Sequence, residues 1–175
     1  MRSRPRNATP AVAFSLVLTA AALLFHPPAS AQTNTNDDVL IQMKQAFQRG
    51  DKARLTALLP QARGHALEPW AAYWELKARL QEAAPNEVQD FYARYPGTYQ
   101  EDRLRNDWLL LLGQRRDWDG FSANVAGYRM GDDAQVRCYA ILVDTLRSGT
   151  ATQAQADEVR RNWFSQKEAD DGCLT

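Results

Sequence analysis

Chemistry near neutral pH calls first on histidine, cysteine and paired carboxylates, and the sequence places few of these at useful spacing. His65 is the sole histidine after residue 31. It stands between Gly64 and Ala66, with no Cys, Asp or Glu at metal-ligand spacing, and reads as a surface side chain at a helix end. Ser122, Ser148 and Ser165 fall in helical or turn context, not in the strand-to-helix elbow that a nucleophilic serine needs. Glu68, Glu75, Glu82, Glu87 and Glu101 could supply an acid and base for glycoside cleavage. Their scatter along helices instead predicts solvated faces. There is no phosphate-binding glycine loop, zinc-binding H-E-x-x-H or calcium-loop spacing. No catalytic residue, cofactor or metal site is expected.

Tryptophan offers a different chemistry, the stacking of sugar rings. Trp70, Trp74, Trp108, Trp118 and Trp163 each lie beside leucines or other aromatics on an apolar helix face, which assigns them to the core. Trp70, in a first turn beside Pro69, is the one expected to be partly exposed. A cluster of Arg103, Arg105, Arg115 and Arg116 with Asp102, Asp107 and Asp117 reads as an ion-paired helix surface, worth little per pair.

The compartment is written at the N-terminus. Arg2, Arg4 and Arg6 precede an apolar run from Ala11 to Phe25, and Ala29-Ser30-Ala31 has the small residues of a cleavage site. The run is shorter than the roughly 20 residues of a membrane span, and Pro27 and Pro28 interrupt it. Residues 1–31 are therefore expected to be a secretory signal cut between Ala31 and Gln32, with release into a bacterial periplasm and no stable membrane anchor. Removal of three arginines and no acid takes the 21 basic side chains to 18 against 21 acidic, moving the net charge from +0 to −3. That balance gives no electrostatic case for nucleic acid or anionic lipid. In an oxidising compartment Cys138 and Cys173 read as one disulfide, with two free thiols as the alternative.

The elements that must position these residues are helical throughout. Residues 32–36 form a polar leader, expected to be disordered. Asp37 and Asp38 open a helix carrying Val39, Met43, Ala46 and Phe47, stopped by Gly50. A second starts near Asp51 and is kinked or short at Pro60. Others begin at Glu68-Pro69 and Pro85, the latter ending at Pro96-Gly97. Residues 99–115 form the longest helix, with Leu104, Trp108, Leu111 and Leu112 at helical spacing. Residues 117–125, 132–146 and 152–164 complete the set. No stretch alternates with period two, so the fold class is all-α. Helix pairs joined by short turns, with Trp74 and Trp108 separated by 34 residues, predict an open α-α superhelix of hairpins over 37–175. A compact bundle is the alternative.

The stretches Pro69-Trp70-Ala71-Ala72-Tyr73-Trp74-Glu75-Leu76, Tyr95-Pro96-Gly97-Thr98, Arg103-Leu104-Arg105-Asn106-Asp107-Trp108-Leu109 and Arg116-Asp117-Trp118 with Phe121 carry a resemblance. So do the later Cys138-Tyr139-Ala140, Trp163 and Cys173. From about Asp37 to Cys173 the chain resembles the N-terminal superhelical domain of the soluble lytic murein transglycosylases. The resemblance implies a periplasmic setting and peptidoglycan glycan strands as the partner. That family cleaves the bond between N-acetylmuramic acid and N-acetylglucosamine and leaves a 1,6-anhydro ring. Its catalytic glutamate lies in a separate lysozyme-like domain, within Glu-Ser upstream of Gly-Leu-Met-Gln. Neither motif occurs here, so no catalytic residue carries over. The expectation is a non-catalytic scaffold, truncated or split before the catalytic domain. Its last helix would expose Val159, Trp163 and Phe164 to self-association. The alternative function is a stand-alone periplasmic adaptor for an envelope complex.

Overall fold

The computed structural model describes residues 35–168 and 171–174. The expected signal and its cut at Ala31–Gln32 lie outside the described residues, as does most of the expected leader. Eight α-helices follow in order: α1 (Thr35–Gln48), α2 (Lys52–Leu58), α3 (Glu68–Ala78), α4 (Pro85–Arg94), α5 (Tyr99–Gln114), α6 (Trp118–Val125), α7 (Ala134–Ser148) and α8 (Gln153–Ser165). The described residues contain no strand, and the fold is all-α.

Helix boundaries follow local chemistry. Helix α1 starts two residues before Asp37, taking in Thr35 and Asn36 and setting Asp37 and Asp38 in the first turn, where acids favour the helix dipole. Pro60 ends α2 early, and the chain continues as one 3₁₀ turn, Leu59–Ala62. Asp51, Thr98, Asp117, Asp133 and Thr152 each cap a helix by accepting a backbone N–H three residues ahead. Gly149, at φ 75°, closes α7 in the left-handed region that glycine adopts without strain.

Two of the turns between helices are the same turn. After α1, the Asp51 N–H reaches Ala46 O at 2.9 Å past Gly50 at φ 70°. After α5, the Asp117 N–H reaches Leu112 O at 2.9 Å past Arg116 at φ 56°. Each Asp then caps the next helix, Asp51 to Arg54 N at 3.0 Å and Asp117 to Gly120 N at 2.9 Å. Arg116 is the one described non-glycine residue with positive φ, standing where the earlier turn has glycine.

The odd-numbered helices pack in succession: α1 on α3, α3 on α5 and α5 on α7. The even ones fill in beside them, α2 against α1 and α3, α4 against α5, α6 against α5 and α7, and α8 against α7. Helix α5 is thus covered from several sides, which explains why its apolar run is nearly continuous. Two adjoining cores result. The smaller joins α1, α2 and α3 through Met43, Ala46, Leu55 and Ala71. The larger runs from α3 to α7 around Leu104, Trp108, Phe121 and Tyr139. Gly113 of α5 lets Tyr139 close in, since a Cβ there would stand 2.3 Å from the ring.

The structure joins Cys138 and Cys173 in a disulfide, Cα atoms 5.0 Å apart, pinning the chain end to α7. Beside it Tyr139 donates to Asp171 Oδ2 at 3.0 Å, and a Cβ at Gly172 would strike Gln135.

Candidate functional site

The charged cluster read as an ion-paired helix surface is ion-paired, but its acids Asp102 and Asp107 are interior, a correction to the surface reading. Asp102 and Asp107 are 3% and 5% exposed, and Glu101 is as deeply buried. The three acids are spaced to meet groups on different neighbours. Asp107 accepts from the Tyr73 hydroxyl at 2.8 Å and pairs with Lys77 at 2.6 Å, both on α3. Asp102 accepts from the backbone N–H groups of Arg129 and Met130, at 2.9 and 2.6 Å, and so organises the α6–α7 loop. Glu101 takes Gly97 N–H and pairs with Arg105 and Arg129. Burial alone would raise its pKa, but these donors outweigh burial and hold it below the usual range. Arg105 lies over the Tyr92 ring at 3.9 Å. By contrast Arg115, Arg116 and Asp117 are exposed, as read. These buried charges are compensated, and their work is to fasten helices.

Glu75 also departs from the solvated-face reading. It lies buried in a cleft of about 210 Å³ shared by Arg79, Glu87, Asp90 and Arg94. Its Oε1 receives Arg79 Nε at 2.8 Å and the Thr56 hydroxyl at 2.9 Å. Arg79 grips Glu87 as well, at 2.6 Å. The Ala84 N–H and then Arg79 hold Glu87 below the ordinary carboxylate range. Glu68 accepts from the Tyr95 hydroxyl and the Gly64 N–H. Each of these carboxylates accepts hydrogen bonds from donors on neighbouring segments, an arrangement that ties those segments together. His65 is similarly occupied. Its Nδ1 accepts from Leu67 N–H at 2.9 Å, leaving Nε2 to donate to Asp37 at 2.7 Å, so it ties α1 to the start of α3. Among the described residues no group of three His, Cys, Asp or Glu could hold a metal ion.

The tryptophans divide. Trp108 is fully buried, whereas Trp70, Trp74 and Trp118 are partly buried and pack against the larger core, and Trp163 of α8 is partly buried as well. Trp118 leans on Tyr139 at 5.9 Å. Trp70 and Trp74 belong to a run of rings crossing three helices. Phe47 of α1 stacks on Trp74 at 6.4 Å, Trp74 on Trp70 at 5.8 Å, and Trp70 on Tyr99 of α5 at 5.7 Å. Along one side of this run opens a groove of about 580 Å³ between α1 and α3, lined by Leu40, Ile41, Lys44, Phe47, Gln48, Leu67, Trp70 and Trp74. Its lining is mostly apolar, as in the recesses that take small ligands. Ile41 is 55% and Leu67 49% exposed at its mouth.

Sequence reasoning missed this groove. Its signal in α1 was slight, since only Ile41 falls outside the stripe of Val39, Met43, Ala46 and Phe47 and stands exposed. An all-α fold with an aromatic groove between α1 and α3 defines the chain's class. Comparison with family models, with curated proteins and with solved structures finds no match. Among the described residues no helix is long and apolar enough to cross a membrane.

Proposed function

We propose that this chain is an exported, non-catalytic helical-hairpin scaffold of the soluble lytic transglycosylase type, working on peptidoglycan in the periplasm. The observation that supports it best is the succession of α1, α3, α5 and α7, each packed on the next, with one turn geometry used after both α1 and α5. That is the packing a superhelix of hairpins requires. The stretches that carry the family resemblance also lie at these helix contacts, Tyr73 and Asp107 among them. In this reading the scaffold frames a passage for glycan strands, and a catalytic domain elsewhere supplies the glutamate. Self-association through α8, where Phe164 is 77% exposed, is part of the same proposal, and sedimentation of wild type against Phe164→Lys measures it.

The test is incubation of the periplasmic protein with purified sacculi. Retention on sacculi without release of 1,6-anhydromuropeptides, and a mature N-terminus at Gln32 by mass spectrometry, is the expected result. Release of anhydromuropeptides by this chain alone, or failure to be retained, overturns the proposal. A second reading, a periplasmic adaptor for an envelope complex, is favoured by the apolar groove beside Trp70 and Trp74. It calls for retention by a protein partner instead of by sacculi.

A further inference from the structure

The groove between α1 and α3 has a chemistry that the scaffold reading does not use. Its volume of about 580 Å³ lies within the range of small-molecule sites, roughly 300–1,000 Å³. Phe47, Trp70 and Trp74 make its walls, and Ile41 and Leu67 stand half-exposed at its mouth. Polar side chains enter the lining only as Lys44 and Gln48. No carboxylate lines it, and among the described residues Lys44 forms no ion pair or hydrogen bond. Lys44 is exposed and is the only charged side chain lining the groove, so it sets the sign of the charge a ligand meets there.

Those two properties select a ligand class. A sugar ring carries hydroxyls around its rim, and a hydroxyl buried without a partner costs binding energy. Lys44 and Gln48 cannot serve a ring of them. An apolar body meets no such penalty, and a single negative end would answer Lys44. We propose that this groove binds a small alkyl carboxylate, its chain laid along Trp70 and Trp74 and its carboxylate at Lys44. The site stands whether or not the chain acts on peptidoglycan.

The test uses the purified protein and straight-chain carboxylates from hexanoate to dodecanoate, below micelle-forming concentrations. Tryptophan fluorescence and titration calorimetry read binding. One-to-one saturable binding is expected, tightening about three- to fourfold for each methylene the groove covers. Lys44→Glu lowers affinity about two- to fivefold and abolishes preference over an alkyltrimethylammonium of equal length. Ile41→Glu and Leu67→Glu, at half-exposed positions that leave the circular dichroism unchanged, weaken binding by more than about tenfold by setting a charge in the apolar mouth. The proposal is overturned if the cation binds as well as the carboxylate to wild type, or if chain length has no effect. It is equally overturned if affinity is indifferent to Ile41→Glu, or if a chitin oligosaccharide binds in its place and loses affinity in that variant.

Discussion

The Tyr73 hydroxyl donates to Asp107 Oδ2 at 2.8 Å across the α3–α5 contact, a buried bond between residues 34 apart in the chain. Lys77 holds the other oxygen of the same carboxylate. Truncating the donor leaves the acid buried with one partner fewer. Tyr73→Phe should therefore lower unfolding free energy by about 1.5–3 kcal/mol in urea titrations, the range for a hydrogen bond to a charged group. Asp107→Leu should cost more, because it removes the partner of both Tyr73 and Lys77 at once.

The same tyrosine sets an alkaline limit. Burial first, and then Asp107, pushes its phenol well above the ordinary value of about 10. Burial also raises Tyr92, Tyr95 and Tyr128. A group whose folded pKa is raised binds its proton more tightly in the folded state. Its contribution to stability is complete below about pH 10 and falls as pH rises through the folded pKa. The expected result is that phenolate absorbance from these tyrosines appears together with loss of helical circular dichroism. Independent titration at pH 10 in a fully helical protein would contradict it.

Asp102 makes a separate prediction through the α6–α7 loop. Asp102→Ala removes the acceptor for the Arg129 and Met130 N–H groups. The cost should be about 3 kcal/mol, with exchange protection lost first at those two amides. Unchanged protection there would show that the loop is held by other means.

Gly113 and Arg116 should respond in opposite senses to the usual exchange of glycine and non-glycine. Alanine is the better helix former by about 1 kcal/mol, yet at 113 its methyl would enter the Tyr139 ring. Gly113→Ala should destabilise by about 1–3 kcal/mol. Arg116, exposed and at φ 56°, should gain about 0.5–1 kcal/mol as glycine. Thermal melts of the two variants measure both signs.

Removing the disulfide, by reduction or by Cys138→Ser with Cys173→Ser, should cost up to about 3–4 kcal/mol on chain-entropy grounds. Protease susceptibility should rise first beyond α8, where Asp171 and Gly172 lie against α7. A melting temperature indifferent to reductant would count against the clasp.

Helix order was legible because proline, glycine and capping residues punctuate this sequence strongly. Helix α2 shows it, since Asp51 starts it and Pro60 stops it whatever surrounds it. Burial of Asp102 and Asp107 was not legible. An acid on a helix covered from several sides looks the same in sequence as one facing water, and only the position of Arg129, Met130 and Tyr73 in space decides. The incomplete burial of Trp74 was hidden for the converse reason. Helical spacing shows which residues share a face, and it does not show whether the neighbour, here α1, is wide enough to cover that face.

The paired turns at Gly50-Asp51 and Arg116-Asp117 carry one last consequence, concerning how such a chain can change over generations. They lie 66 residues apart, close to two helical hairpins of 33, and present the same backbone to whatever helix comes next. A duplication or loss that begins in one such turn and ends in the other meets a ready-made joint. Its success then depends only on the faces it brings together. A loss between these two joints would remove Leu67, Trp70 and Trp74 and with them the groove, whereas a duplication would add a second copy of that wall.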